Sequence, residues 1–113
     1  MSRQTFAPKE VIFREGAAGD VAYVVQEGEV EIARTTSKSH KRRVLGVITK
    51  GGMFGEMALI DGQPRMADAT AITETTCVVI KRGIFERKLE SADPFIKGLI
   101  RIFVRNIRSM GDE

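Results

Sequence analysis

The chain has 113 residues, the size of one domain with a single hydrophobic core. Its 42% hydrophobic and 29% charged residues are typical of a globular protein and exclude an intrinsically disordered chain. No apolar run approaches the roughly 18 residues that span a bilayer, and the first residues lack the order of a signal peptide. We therefore expect no membrane contact and a cytoplasmic location. The single cysteine, Cys77, agrees with this because it cannot form an intramolecular disulfide.

The net charge of +3 is distributed unevenly over two basic groups. The first lies in a polar stretch between two strand-like segments and predicts a solvated hairpin loop, since no aromatic residue is interleaved for base stacking. Its members are Lys38, His40, Lys41, Arg42 and Arg43. The second recurs at helical spacing and predicts the solvent-facing side of a helix, with an acidic partner surface as the alternative. Its members are Lys97, Arg101, Arg105 and Arg108.

From Val11 onward, short alternating segments are separated by glycine-rich turns, which is typical of an antiparallel barrel or jelly roll. The strand expected at 21–25 carries apolar residues on both faces, and Glu27-Gly28 predicts a tight turn after it. A further strand is expected at 44–48, after the basic loop.

Another strand follows Arg65 and places three alanines, Ala67, Ala69 and Ala71, on one face. Small side chains on an inward face leave space beside the arginine, which a bound ligand needs. They also suit a crowded barrel interior, so both interpretations stay open.

The apolar period becomes helical near the C-terminal end. Ile84 and Leu89 belong to a predicted short helix. A longer helix starts at Asp93-Pro94, because aspartate is a favoured N-cap and proline is favoured in the first turn, and Gly111 predicts its end.

The long helix has two unusual features. Gly98 lies inside it at a cost of roughly 1 kcal/mol relative to alanine, which predicts close helix packing there. Its apolar band is also wider than one contact with a barrel requires, so part of it is expected to face a second copy of the chain or another domain. The band comprises Phe95, Ile96, Leu99, Ile100, Ile102, Phe103, Val104 and Ile107.

One segment carries the chemistry of a ligand site. It reads Phe54-Gly55-Glu56-Met57-Ala58-Leu59-Ile60-Asp61-Gly62-Gln63-Pro64-Arg65. Gly55 allows a close backbone approach, and the N–H groups at the start of a helical turn attract an anion. Arg65 can clamp phosphate oxygens, and Glu56 can accept hydrogen bonds from sugar hydroxyls. These parts suit a small anionic sugar phosphate; an ordinary ion pair between Glu56 and Arg65 is the alternative.

This segment resembles the phosphate-binding cassette of cyclic nucleotide-binding domains, the family of catabolite activator protein and the regulatory subunit of protein kinase A. The resemblance extends through Val11-Ile12-Phe13-Arg14-Glu15-Gly16, Gly19-Asp20, Tyr23-Val24-Val25-Gln26-Glu27-Gly28 and Lys50-Gly51-Gly52-Met53. It implies a mainly β fold with C-terminal helices. In this fold an antiparallel β-roll, which is a jelly-roll-like double-stranded β-helix, contains a short cassette helix. We predict a single domain over residues 1–113, with the β-roll at about 6–82 and the helices at about 83–110.

The resemblance also implies roles for individual residues. Glu56 would bind the ribose 2′-hydroxyl and Arg65 the cyclic phosphate. The family pattern adds backbone N–H groups near three residues and places two others at the wall of the base pocket. The N–H groups are those of Met57, Ala58 and Met66, and the wall residues are Leu45 and Val47. Phe54, Gly55, Pro64 and Ala67 complete the predicted site.

Three departures from the family pattern carry expectations. Met66 stands where a serine or threonine hydroxyl is associated with guanine preference, so we expect cAMP to be favoured over cGMP. The charge of Asp68 would oppose binding if it faced the phosphate. The helical lid over the base would fall at 111–113, where the sequence ends, which predicts more open binding. By the same comparison, a helix-turn-helix would need roughly 40 further residues, so no nucleic acid partner is expected for this chain alone.

Two functions remain in competition. The first is a regulatory domain that senses cAMP or cGMP as its ligand and transmits movement from Leu59 and Ile60 to the helices at Phe85, Phe95 and Leu99. The second is a degenerate fold that acts as an interaction or dimerisation module through the last helix. An enzyme is not expected, because one histidine, His40, and one cysteine cannot form the usual metal sites and no second carboxylate is in register with Glu56.

Overall fold

The computed structural model describes residues 2–35 and 40–110. Within these ranges the chain forms eight strands and three helices. In chain order they are β1 (Ser2–Phe6), β2 (Val11–Phe13), β3 (Val21–Glu27), β4 (Val30–Thr35), β5 (Arg42–Ile48), β6 (Met53–Phe54), α1 (Met57–Asp61), β7 (Asp68–Ala71), β8 (Thr75–Lys81), α2 (Arg82–Glu90) and α3 (Pro94–Met110).

The strands form two four-stranded antiparallel sheets, with the orders β1-β8-β3-β6 and β2-β7-β4-β5. Alternate residues of both sheets point inward and form the main core. The core residues are Phe6, Tyr23, Val25, Val30, Phe54, Ala69, Ala71, Cys77 and Val79. Three helices follow or interrupt the sheets, so the predicted class, a mainly β antiparallel roll with a short cassette helix and C-terminal helices, is confirmed.

Strand β3 is apolar on both faces because its sheet is covered on both faces. Tyr23 and Val25 point into the core between the sheets. Ala22 points the other way and packs with Ile80 of β8 and Leu59 of α1. The cassette helix is therefore attached to the outer face of the first sheet.

The turn predicted at Glu27-Gly28 joins β3 to β4. Gly28 has a φ of +99°, a backbone conformation that favours glycine. A Cβ at this position would lie 2.4 Å from the hydroxyl oxygen of Thr75. Thr75 is fully buried and also receives the N–H of Glu29 at 3.2 Å, so the turn and β8 are joined at this point.

Several local predictions can be compared with the observed elements. The start signal of α3 is confirmed, because the Asp93 carboxylate accepts the N–H of Phe95 at 2.8 Å. The strand predicted at 44–48 begins earlier, at Arg42, whose side chain pairs with Glu31 on β4. The predicted close packing at Gly98 is wrong, since a Cβ there would meet nothing within 4 Å.

Three predictions fall outside the described residues: the loop position of Lys38, the end of the long helix at Gly111 and the lid at 111–113.

The predicted basic stripe of α3 faces solvent at Arg101 and Arg105, but not along its whole length. Val104 is the buried residue of this helix within the described range, where it packs towards α1. Arg108 is half-buried beside the cassette, although the sequence predicts a solvent-facing position for it. Most of the apolar band is exposed, whereas Val104 is buried and Leu99 and Ile100 are partly buried. Its exposed members are Phe95, Ile96, Ile102, Phe103 and Ile107, with exposures from 44% to 73%, and Met110 beyond the band is 75% exposed.

Within the described ranges, each helix is too short or too polar to cross a lipid bilayer.

Candidate functional site

The cassette begins and ends at backbone positions that are firmly held. Gly55 turns the chain with a φ of +80°, and Gly62 ends α1 with a φ of +68°. The chain then reaches Arg65, whose N–H donates to Ala17 O at 2.9 Å and whose carbonyl accepts the N–H of Gly16 at 2.8 Å. The loop between β2 and β3 thus fixes the backbone of the arginine.

The Arg65 side chain is directed into the protein, with 5% of the residue exposed. Its Nη1 donates to Gly55 O at 2.6 Å, and its Nη2 donates to Val21 O at 2.7 Å. The guanidinium carbon lies 4.1 Å from the ring centroid of Phe13, within the range of a cation–π contact. The carbonyls and the ring hold the guanidinium as one rigid, charged group.

The Nε–H of Arg65 is buried and has no hydrogen-bond partner among the described residues. A guanidinium has five N–H donors, and the two contacts above use one each on Nη1 and Nη2. A buried donor without an acceptor costs about 1–3 kcal/mol. The arrangement therefore retains donor capacity for an anionic acceptor at the centre of the cassette.

Burial has opposite effects on the two charged residues of the cassette. It raises the pKa of Glu56, against which a hydrogen bond from its own backbone and the charge of Arg65 act more weakly. Burial also lowers the pKa of Arg65, although an arginine remains charged in proteins. The two side chains form no ion pair within 4.0 Å in the described structure, so the predicted alternative of an ordinary ion pair is wrong.

Helix α1 leaves backbone donors at its start. Its first backbone bonds run from the N–H groups of Leu59 and Ile60 to Glu56 O, at 3.0 and 3.2 Å. The N–H groups of Met57 and Ala58 precede these bonds and so lie outside the helical hydrogen-bond pattern. They lie directly after Glu56 in the chain.

The predicted site residues do not all have the same exposure. Phe54, Ala58, Arg65 and Ala67 are buried, whereas Pro64 is exposed. Gly55, Glu56, Met57 and Met66 are partly buried. The predicted base-pocket residues Leu45 and Val47 lie on β5, the edge strand of the second sheet, with exposures of 44% and 46%.

Asp68 has a structural partner of its own. Its carboxylate accepts the N–H of Glu15 at 2.6 Å, and it lies at the start of β7. The Glu15 carboxylate in turn accepts the N–H of Thr35 at 3.2 Å. The charge of Asp68 is therefore used by backbone of the β2–β3 loop. Asp68 does not line the cavity of about 320 Å³ that lies next to Arg65, whose lining residues are Glu15, Gly16, Arg34, Gln63, Pro64, Arg65, Met66 and Arg108.

Sequence reasoning assigned no role to three groups that hold Arg65: the Phe13 ring, the Val21 carbonyl and Gly19. A Cβ at Gly19 would lie 2.6 Å from both Cζ and Nε of Arg65, so a larger residue cannot occupy this position without a shift. Phe13 and Gly19 belong to the glycine-rich pattern that the sequence displays. A carbonyl acceptor leaves no signal in the sequence.

The fold is therefore a β-roll that buries an arginine with one N–H left without an acceptor among the described residues. Comparison with known proteins supplies the family. The family model of the cyclic nucleotide-binding domain, which describes the sequences of that family, matches residues 3–92. The chain therefore belongs to the cyclic nucleotide-binding domain family.

Similar proteins carry this domain within longer chains. The cGMP-dependent protein kinase of Eimeria tenella is 37% identical over 86 residues, which cover 76% of this chain and 8% of the kinase. The CRP-like cAMP-activated global transcriptional regulator of Mycobacterium tuberculosis is 29% identical over 103 residues, which cover 91% of this chain and 46% of the regulator.

Among solved structures, the cAMP-bound form of EAL enzyme Bd1971 superposes with a TM-score of 0.88 and 31% identity, over 95% of this chain and 28% of that one. The chain thus spans less than half the length of these similar proteins.

Proposed function

We propose that this chain is a regulatory domain that binds a cyclic purine nucleotide through the cassette. The observation that carries the proposal is the buried Arg65, whose Nε–H lacks an acceptor among the described residues while one N–H each of Nη1 and Nη2 is fixed by Gly55 O and Val21 O. A guanidinium is planar and can donate two parallel hydrogen bonds to the oxygens of a phosphate, so it is well suited to bind a cyclic phosphate. Cyclic nucleotides appear as ligands in structures similar to this one, which supports the same ligand class here.

In this proposal each part of the site has a separate task. Arg65 binds the cyclic phosphate, assisted by the backbone N–H groups of Met57, Ala58 and Met66. Glu56 accepts a hydrogen bond from the ribose 2′-hydroxyl. Leu45 and Val47, whose exposed side chains are available on the edge strand, cover the base. Phe54, Gly55, Pro64 and Ala67 complete the site, and of these four Pro64 lines the cavity beside Arg65. No metal takes part, and cAMP or cGMP is the ligand.

We propose cAMP as the preferred nucleotide. Met66 follows the arginine and has no hydroxyl to offer a guanine or a phosphate oxygen. The nearby Asp68 is committed to the backbone of Glu15, so it does not replace that hydroxyl.

The cassette can transmit binding through α1. Leu59 is 4% exposed and packs with Ala22 and Ile80, and Phe85 of α2 packs against the same cluster. A ligand that draws α1 towards Arg65 will favour one arrangement of these helices, provided that it binds the two arrangements with different affinity. The predicted relay to Phe95 is wrong, since that residue is 73% exposed.

The test is isothermal titration calorimetry with cAMP and cGMP, on protein refolded to remove carried nucleotide. We expect saturable binding by the parent, tighter for cAMP, and its loss in Arg65→Ala. Arg3→Ala removes the same charge from an exposed position on β1 and should bind as the parent does. Circular dichroism melting must show that Arg65→Ala is folded. Unchanged affinity in a folded Arg65→Ala protein contradicts the proposal.

A second experiment isolates the role of Glu56. In the parent, 2′-deoxy-cAMP should bind about tenfold more weakly than cAMP, because a hydrogen bond to a charged group is lost. In Glu56→Gln the two ligands should differ much less. An equal difference in both proteins would remove Glu56 from the site while leaving Arg65 untested by this result.

A second candidate function rests on the outward apolar band of α3. Phe95 and Phe103 of this band are 73% and 55% exposed, and the nearby Met110 is 75% exposed; an exposed apolar patch of this kind marks an interaction site. We propose a homodimer or an effector domain as the partner of this surface. Light scattering should show a dimer that Phe103→Asp converts to a monomer, whether or not nucleotide is present, while Lys88→Asp on α2 does not.

We also propose that the domain regulates the activity of an effector and that it is located in the cytoplasm. We propose that the chain itself regulates and does not catalyse. Within the described residues, no group of three or more His, Cys, Asp or Glu residues could hold a metal ion.

A further inference from the structure

A second cavity lies between the cassette helix and the last helix. Its volume is about 420 Å³, within the size range of small-molecule pockets. Ile60, Asp61 and Gln63 line it from the cassette side, and Arg101, Val104, Arg105 and Arg108 line it from α3. Val104 is 5% exposed, and Ile60 is half-buried, so the cavity has an apolar part and a charged rim.

The rim carries an excess of positive charge. One arginine is satisfied, because Arg108 pairs with Asp61 and donates to Pro64 O at 3.0 Å. Arg101 and Arg105 have no hydrogen bond or ion pair with the described residues. Three arginines and one aspartate leave two positive charges at the cavity.

The spacing of the two unpaired arginines makes this excess unfavourable. Arg101 and Arg105 are one helical turn apart, and like charges four residues apart destabilise a helix. Glu86 and Glu90 line a neighbouring groove that Arg101 also borders, yet neither forms an ion pair with it. Arg105 has no carboxylate besides Asp61 among the residues that line its cavity.

We propose that this cavity, which shares Gln63 and Arg108 with the cavity beside Arg65 but is not lined by Arg65, is a second binding site for a small amphiphilic dianion such as an aryl or alkyl phosphate monoester. The phosphate would bind between Arg101 and Arg105, and the apolar group would contact Ile60 and Val104. Asp61 and Gln63 belong to the cassette segment, so occupancy of this cavity and of the cassette would alter each other's affinity by the same factor.

The test is a ¹⁵N NMR titration of the whole chain with phenyl phosphate at neutral pH, with and without saturating cAMP. We expect saturable shifts at the amides of 60–63 and 101–108, and at least fivefold weaker binding in Arg101→Gln/Arg105→Gln. Arg87→Gln/Lys88→Gln removes two exposed charges from α2, outside the cavity, and should bind as the parent does. Inorganic phosphate and benzyl alcohol should each bind more weakly than phenyl phosphate.

Three results overturn the proposal: absence of saturable shifts, equal weakening in both double variants, or shifts centred on Gly16, Arg65 and Met66. If the first double variant shows a collapsed spectrum, the single variant Arg105→Gln decides by the same criterion. Failure here is distinguishable from failure of the nucleotide proposal, because Arg65→Ala is expected to lose cAMP and keep phenyl phosphate.

Discussion

The carbonyl oxygen of Gly55 lies 2.6 Å from Nη1 of Arg65, so the glycine that opens the cassette accepts a hydrogen bond from the arginine that closes it. A Cβ added at Gly55 would lie 2.8 Å from the same nitrogen and 3.2 Å from the Phe13 ring. The close approach requires glycine, and the hydrogen bond requires the arginine. The two residues therefore form one structural unit, although nine residues separate them in the sequence.

Gly55→Ala should destabilise the domain by about 1–3 kcal/mol, because it combines a strained positive φ with a contact against the guanidinium. Gly62→Ala is the matched control. It has a φ of +68°, but a Cβ there meets nothing within 4 Å, so it should cost only the backbone strain. Urea denaturation measures both free energies of unfolding. Equal losses would show that the contact with Arg65 contributes nothing.

Arg65→Lys should destabilise the domain and weaken nucleotide binding. Lysine keeps the charge but cannot reach Gly55 O and Val21 O with a planar fork, so at least one buried carbonyl loses its partner, at about 1–3 kcal/mol. Denaturation and calorimetry on the same preparation check both effects. Arg14→Lys, an exposed change in the adjacent loop, should alter neither. Full cAMP affinity in Arg65→Lys would mean that charge alone suffices.

The free energy of unfolding of the Glu56→Gln variant should rise relative to that of the parent as the pH increases. Burial raises the pKa of Glu56 above its ordinary value of 4.5. Between those two pKa values the folded protein binds more protons than the unfolded chain, so the free energy of unfolding of the parent falls as pH increases through this window. Because glutamine does not titrate, the variant does not show this fall in the free energy of unfolding.

Urea denaturation from about pH 4 to about pH 8 measures the difference between Glu56→Gln and the parent. The difference should grow in favour of the variant with rising pH and then level off. Glu74→Gln, at an exposed position, serves as the control for charge removal alone. A difference that is constant across the range would exclude a raised pKa for Glu56.

Arg108→Gln should loosen α3 from the cassette. The arginine holds the Asp61 carboxylate and donates to Pro64 O at 3.0 Å, with 20% and 24% of the two charged side chains exposed. We expect a loss of about 1 kcal/mol, since a partly buried two-point contact exceeds an exposed pair. Hydrogen exchange should accelerate in α3 and at the end of α1. Arg87→Gln on α2 should leave both unchanged, and identical exchange in the two variants would contradict the role of Arg108.

Much of the fold follows from local sequence patterns. The alternation in β3 predicted a strand with two apolar faces, and the structure shows why: one face meets the other sheet and the other meets Leu59 and Ile80. The start of α3 was predictable because an aspartate N-cap acts within three residues of the chain. The cassette was recognisable because its glycines and charged residues are close together in the sequence.

The tertiary structure decided two matters that the sequence left open. It left most of the apolar band of α3 exposed, because the side of the helix that turns towards the protein carries the buried Val104 and Arg108, which pairs with Asp61 of the cassette. It also directed Arg65 inward, where Gly55 O, Val21 O and Phe13 receive the guanidinium. Sequence patterns report periodicity and local backbone preference. The direction of a long side chain depends on acceptors that come from distant segments, and folding alone brings those segments together.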